Sequence, residues 1–332
     1  AASDVYKRQA TGHHSERRLH QRKLDVKFDL VTGGFGPDGK DSLMLSGYRV
    51  RTHITNAGMA AGSSLSLRIE GMTLSEMNRM SVIRARMTWQ NANKITLLAG
   101  DDTSPKSVIF SGYVTAAFVD FTGAPNVAFQ VEANNLCLSA VTAMQPISFN
   151  GPAAFQTIAS AICNAMGWTL LNHGVKAVFP SYYGYGDPRS ALERLCMSVK
   201  AVFHLDEDQK TLHIWPHDYA YKADDEGVDM PYISAKSGLI GYPAYSDAGV
   251  LFECLFNPKI RYNSPLRLKS DYAPAGWVNN QNGQVPAQTS PANGIWLPYI
   301  IEHNLESEVP DGQWTTFVGA TRGDNPTNLK FG

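Results

Sequence analysis

From residue 24 the chain alternates between apolar and polar positions. Leu24, Val26, Phe28 and Leu30 are apolar while Asp25, Lys27 and Asp29 are polar, the period-2 pattern of a strand with one buried face. Gly33-Gly34 and Pro37-Asp38-Gly39 turn the chain. A second run carries Leu43, Leu45, Tyr48, Val50 and Ile54, and Leu65, Leu67 and Ile69 alternate again before Gly71. Thr73-Leu74-Ser75-Glu76 has the Thr-x-x-Glu spacing of a capping box. It predicts a short helix over 74–80 with Leu74, Met77 and Met80 on one face. Strands are expected again over 93–98, 106–121 and 126–132. This succession predicts a small antiparallel barrel, not a doubly wound sheet.

The period changes after Gln145. Phe155, Ile158, Ala159, Ile162, Cys163 and Met166 form one helical stripe, predicting a helix over 152–166 that opens at Pro152 and closes at Gly167. A strand is expected over 168–171. Asp187 and Pro188 open a second helix running to about 200, with Leu192, Leu195, Cys196 and Val199 on its face. Strands over 202–205 and 212–215 follow. The two apolar faces match at one offset, so this stretch reads as an α/β insert of two similar helix–strand halves. Beyond residue 221 the chain is strand-like again, over 251–256, 266–270 and 313–318. Residues 279–293, rich in Asn, Gln, Pro and Gly, read as a long loop. Residues 295–305 are apolar but contain Pro298, which predicts an edge strand or part of a hairpin. The expected fold is α+β and mainly β. It comprises a segment 1–22 set apart, a first β-barrel over 23–145, the α/β insert over 146–220, and a second β-barrel with a loose tail over 221–332.

Composition narrows the function classes. The 332 residues are 43% hydrophobic and 18% charged, with a formal net charge of -1. So balanced a chain lacks the clustered cations that grip phosphates. Low charge with 28 Gly and 18 Pro suits a turn-rich β protein that covers surface against partners. Cys137, Cys163, Cys196 and Cys254 each lie in an apolar run without a CxxC pair, which predicts buried reduced thiols rather than a zinc knuckle. No window is long and apolar enough for a transmembrane helix, and no secretory signal is seen. Asp4-Val5-Tyr6-Lys7-Arg8-Gln9 resembles a translated sequencing adapter. Residues 1–20 are therefore set aside, and His13, His14, Arg17, Arg18, Arg22 and Lys23 are read as a solvated tail.

Candidate chemistry is sparse. Asp206-Glu207-Asp208 falls between two strands and reads as a solvated hairpin tip, as do Asp101-Asp102 after Gly100 and Asp224-Asp225-Glu226 before Gly227. His204 and His213 can approach across that hairpin, with His217 nearby, but a pair without a carboxylate makes a weak metal site. Gly33-Gly34-Phe35-Gly36 runs into a turn, not a helix, so it is no phosphate cradle. No Gly-x-Ser-x-Gly, His-Glu-x-x-His or Walker pattern occurs. No catalytic, cofactor or metal residue is assigned.

Several motifs, taken in order, resemble the baseplate hub proteins of tailed phages, particularly Mu-like hubs related to the hub part of VgrG-type spikes. They are Gly238-Leu239-Ile240-Gly241-Tyr242-Pro243, Gly249-Val250, Cys254-Leu255-Phe256-Asn257-Pro258, Leu266-Arg267-Leu268-Lys269-Ser270, Tyr299 to Leu305, and Pro310-Asp311-Gly312-Gln313-Trp314. Leu67 to Met72 and Phe110 to Val114 are similar to the first barrel of such hubs, so the resemblance spans roughly 24–320. The 279–293 loop departs from it. The resemblance implies a non-enzymatic homotrimeric ring in the virion tail baseplate, assembled in the host cytoplasm. Two related barrels per chain would let three subunits meet a six-fold tail tube or tube initiator above and a three-fold central spike below. Wedge proteins would lie around the ring, and DNA would touch it only in transit, with no membrane insertion. A permanent contact of this kind buries about 2,000 Å² or more. Tyr182, Tyr183, Tyr185, Tyr242, Tyr245, Trp277 and Trp296 are its candidate anchors; the competing account packs the same rings within one subunit. The alternative functions weighed are a tail-tip cell-wall hydrolase and a receptor or carbohydrate-binding module.

Overall fold

A computed structural model describes residues 21–34, 39–83, 92–101, 105–221, 230–271 and 292–323. The adapter-like start with His13, His14, Arg17 and Arg18 lies outside these residues, as do Asp102, Asp224-Asp225-Glu226, Trp277 and nearly all of the 279–293 loop.

The first part contributes β1 (Arg22–Asp29), β2 (Ser42–Ser46), β3 (Arg49–Gly58), β4 (Gly62–Glu70), α1 (Leu74–Met80), β5 (Val82–Ile83), β6 (Lys94–Asp101), β7 (Ser107–Asp120) and β8 (Ala128–Asn134). Alternation sets the faces: Leu24, Val26 and Phe28 of β1 are buried, as are Val50, Thr52 and Ile54 of β3. The capping box forms as expected, since Thr73 Oγ1 accepts from Glu76 N at 3.3 Å and Glu76 Oε2 accepts from Thr73 N at 3.0 Å.

The insert contributes β9 (Ile147–Phe149), β10 (Ala153–Ala154), α2 (Phe155–Ala165), β11 (Thr169–Asn172), β12 (Val178–Phe179), β13 (Tyr182–Gly184), α3 (Pro188–Ser198), β14 (Ala201–Asp206) and β15 (Thr211–Pro216). Helix α2 starts three residues later than the sequence suggests. Ala153 and Ala154 pair with β12 instead, and Phe155 N donates to Ala177 O at 2.8 Å. Asp187 caps α3 by accepting from Ser190 N at 2.9 Å, with Pro188 in the first turn. The stripes of both helices, including Phe155, Ile158, Ile162, Leu192 and Leu195, bury into one core with Phe203, Leu212 and Ile214. The two halves place β11 and β14 on opposite sides of β15, the first parallel to it and the second antiparallel.

The rest contributes β16 (Tyr232–Ile233), β17 (Leu239–Ser246), β18 (Gly249–Leu255), β19 (Leu266–Leu268), β20 (Gly294–Ser307) and β21 (Trp314–Arg322). The α+β, mainly β class holds, but the β parts do not form two separately closed ladders. Among the described residues one 14-stranded sheet runs in the order β17-β18-β21-β20-β3-β4-β8-β7-β6-β1-β2, with β19 and β16 branching from β20 and β5 from β7. Its pairings are antiparallel except β16 with β19. The seam is β20 against β3, Ile301 opposite Asn56 through Ser307 opposite Val50. Leu305 of β20 accordingly belongs to the first core, with Val50, Ile54 and Leu67.

The sheet also rolls. Arg22 Nη1 donates to Gly312 O at 2.7 Å and the guanidinium lies 5.9 Å over the Trp314 ring. Arg22 and Lys23 are thus not a solvated tail but the start of β1, and side chains latch β1 to the β20–β21 end, where no ladder does among the described residues. Of the two expectations for the Pro298 stretch the hairpin holds, since β20 pairs antiparallel with the next strand β21, while β3 covers its other side further along. Pro298 faces Ala320 of β21 at a register shift before Ile300, and its carbonyl accepts from Asn263 N at 2.8 Å. A bulge hides the missing N–H, which lets proline sit inside a paired strand.

Candidate functional site

The aromatic candidates divide by burial. Tyr183 and Tyr185 follow one another around the β13 corner, 63% and 58% exposed, with ring centroids 5.9 Å apart. Arg194 of α3 lies 5.0 Å over the Tyr185 ring and its Nη2 donates to Tyr185 O at 2.6 Å. The β13–α3 turn and a cation–π contact therefore hold two rings toward solvent. Tyr242 is 58% exposed at the register shift of β17, and strand alternation turns Tyr245 toward the third core. Tyr182 packs edge-on against Phe179 at 6.0 Å and lines the insert core. Trp296 is 5% exposed; its Nε1 donates to Ala292 O at 2.8 Å and Arg322 lies 5.1 Å over its ring. Trp277 lies outside the described residues.

A second surface is the outward polar face of the seam. Glu306, Arg51, Arg68 and Gln130 stand in line across β20, β3, β4 and β8, and Asn304, His53, Ser66 and Glu132 form the next line. All of these but Glu132 line a shallow groove of about 260 Å³. Its charges are compensated. Arg68 pairs with Glu70 at 3.2 Å and Asp120 at 3.0 Å, and Arg51 with Glu306 at 3.7 Å. His53 Nδ1 meets Asn304 Oδ1 at 2.8 Å, and Ser66 Oγ donates to Glu132 Oε1 at 2.8 Å. Asp120 is held down to about 2, chiefly because the Thr122 hydroxyl and N–H donate to it.

The acidic hairpin tip is not wholly solvated. Asp206 accepts from Asp208 N and Gln209 N, but Glu207 is 3% exposed and pairs with Lys210, whose Nζ also donates to Tyr113 Oη at 2.9 Å. Asn135 adds a second bridge, accepting from Ser63 N at 2.8 Å and donating to Leu205 O at 3.0 Å. These groups clamp the insert to β7 and β4. The sequence carried no local signal for them, since Tyr113 and Lys210 are 97 positions apart. His204 and His213 are register partners across the hairpin, as expected. The hydrogen bond of His213 goes to His173, Nδ1 to Nε2 at 3.0 Å.

Among the described residues no group of three His, Cys, Asp or Glu could hold a metal ion, and no helix is long and apolar enough to cross a membrane. All four cysteines are free and buried, and burial pushes each thiol up to about 12, which keeps it protonated and unreactive.

A family model described as baseplate hub gp41 matches residues 63–281. No curated protein sequence matches the chain. Among solved structures, the 43 kDa tail protein of prophage MuSo2 from Shewanella oneidensis is similar over 92% of this chain and 98% of its own, with TM-score 0.54 and 10% identity. A tail protein from Neisseria meningitidis MC58 is similar over 90% and 96%, with TM-score 0.56 and 8% identity. The E. coli c3393 protein, a type VI secretion component described as similar to phage T4 gp27 and gp5, matches over 84% and 75%, with TM-score 0.52 and 11% identity. At these identities the likenesses bear on fold alone.

Proposed function

This chain belongs to the baseplate hub gp41 family, and from that premise we propose that it works as a homotrimeric ring joining the tail tube to the central spike. The single observation carrying the hub role is the family match over residues 63–281. The ring reading draws support from the sheet. Its terminal strands, β17 and β2, have one paired edge each among the described residues, and heterologous pairing of such edges around an axis closes a ring and protects both. The partition into 23–145, 146–220 and 221–332 supplies two β parts per chain, so three chains offer six to the tube.

Tyr183, Tyr185 and Tyr242 are the proposed anchors toward neighbours, because they are large, exposed and held in place. Tyr182, Tyr245 and Trp296 support them from within, and Trp277 joins the set on sequence grounds. The charge-compensated seam face is the proposed wall past which DNA moves. Arginines already paired with carboxylates offer phosphates little net attraction. The partners are the spike, the tube or its initiator, and the wedge proteins, in the virion baseplate, with assembly in the host cytoplasm. The role is structural rather than enzymatic.

Mass measurement of the full chain by light scattering, alone and with the spike protein, tests the reading. A trimer, or a 3:3 complex, is expected. A monomer under every condition, with no affinity for spike or tube, would refute it.

A further inference from the structure

Tyr262 belongs to the C-terminal part yet is only 6% exposed, because it is wedged between β3 and the outer face of the insert sheet. At Gly58 a Cβ would lie 2.3 Å from the ring carbon Cζ of Tyr262, so only glycine leaves room for the ring. On its other side the ring stacks on His204 at 5.3 Å and tilts against Trp215 at 6.1 Å. Behind these, His213 and His173 stack on Trp215, with centroids 5.5 and 4.8 Å away, and Tyr219 meets the edge of His173 at 6.5 Å. Three imidazoles, an indole and two phenols thus form the joint between the insert and the rest of the chain.

We propose that this joint is acid-labile: protonation of His204 parts the β14–β15 hairpin from Tyr262 while the large sheet stays folded.

The geometry supplies the reason. His204 Nδ1 is buried without a hydrogen-bond partner. Unprotonated, that nitrogen is an unsatisfied neutral acceptor; once it carries a proton it is a charged donor with no acceptor, which costs far more. The His173–His213 bond needs an unprotonated nitrogen on one ring, so it fails when both become imidazolium. The facing charges do not rescue the joint. Asp206 favours a charged His204, but its carboxylate already accepts from two backbone amides, and His213 opposes it. Arg261, beside Tyr262, further disfavours charge on His213. Tyr262 itself is pushed by burial up to about 12 and stays neutral. On β3, Gly58 meets the Tyr262 ring and carries no charge. Asn56 Oδ1 and Asn263 Nδ2, flanking the wedge along the chain, are also buried without partners. Three of the five such atoms among the described residues therefore fall at or beside this joint. The clamp on the other side, Lys210 with Glu207 and Tyr113, contains no histidine.

The direction with pH follows. Burial lowers His204 from 6.5 to about 4 in the docked state, so the open state binds the proton more readily. Docking is complete above pH 6.5 and weakens as pH falls from 6.5 toward 4. At pH 5 the docked-to-open ratio is about 30-fold below its value at pH 8. The joint is independent of the hub reading, since it concerns contacts within one chain.

Hydrogen exchange of the full chain at pH 7.5 and pH 5, corrected for intrinsic rates, tests it. The amide of Phe203, which donates across the joint to Met59 Sδ at 3.3 Å, should lose protection by about 30-fold at pH 5 while those of β20 and β21 keep theirs, and His204→Gln should remove most of the difference. Equal protection at both pH values, a concerted loss across all strands, or a wild-type pH response in H204Q would each overturn the proposal. If H204Q fails to fold, imidazole NMR of the unsubstituted chain decides: titration of His204 near 4 supports the joint, and titration near 6.5 refutes it.

Discussion

Leu305 sits on a strand from the end of the chain but fills a core built by its beginning. Its side chain is fully buried among Val50, Ile54, Leu67 and their neighbours, beside the β20–β3 ladder. Leu305→Ala removes about three buried carbons, worth about 2.4 kcal/mol by transfer. Rigid strands on both sides prevent collapse, so a residual cavity raises the cost to about 3–4 kcal/mol. Because the seam strand is shared, the loss should not stay local. Urea unfolding followed by tryptophan fluorescence and by far-UV circular dichroism should give coincident transitions for the parent and for L305A, with the L305A midpoint lower and the slope unchanged. Two separated transitions, or a loss under 1 kcal/mol, would refute the view that one sheet binds the β parts into a single cooperative unit.

Lys210→Met strands Glu207, whose side chain is 2% exposed, without its cation; with the Lys210 side chain 41% exposed the expected loss is discounted to about 2 kcal/mol, and urea melts of K210M and E207Q/K210M should show partial recovery in the pair. His303, buried in β20 with Nδ1 on Thr316 Oγ1 at 2.9 Å, is lowered by burial to about 4. The unfolded chain therefore takes up the proton first, and His303 alone should contribute on the order of 2 kcal/mol to the stability lost between pH 7.5 and pH 5, beside the part carried by His204. His303→Gln should flatten that slope, and identical slopes would count against it. Thr73→Ala removes one arm of the capping box and should cost about 1 kcal/mol by thermal melting; no change would mean the α1 terminus frays in the parent.

What was legible in the sequence was what short range encodes. Alternation placed Leu24, Val26 and Phe28 inward, Thr73 and Glu76 announced α1, and Asp187-Pro188 announced α3, each because the physics acts within four residues. Pairing partners were not legible. Nothing near Ile301 says that its neighbour is Asn56, so the strand pattern suggested two barrels where one sheet passes through both. For Pro298 the hairpin was legible, but the bulge that accommodates it was not, since it depends on β21 and on Asn263. Of the candidate anchors, composition found the exposed Tyr183, Tyr185 and Tyr242 but could not separate them from the buried Trp296. Tyr262, which wedges the joint, left only one trace, the glycine at position 58 that makes room for it.

The seam has a consequence for the newborn chain. On the ribosome β3 emerges early, but its partner in β20 follows roughly 245 positions later, counted from Asn56 to Ile301. At about 5–20 residues per second, that strand edge waits roughly 12–50 s, with the Leu305 slot beside it still vacant. Synthesis rate and chaperone supply, more than final stability, should then govern the yield of usable protein.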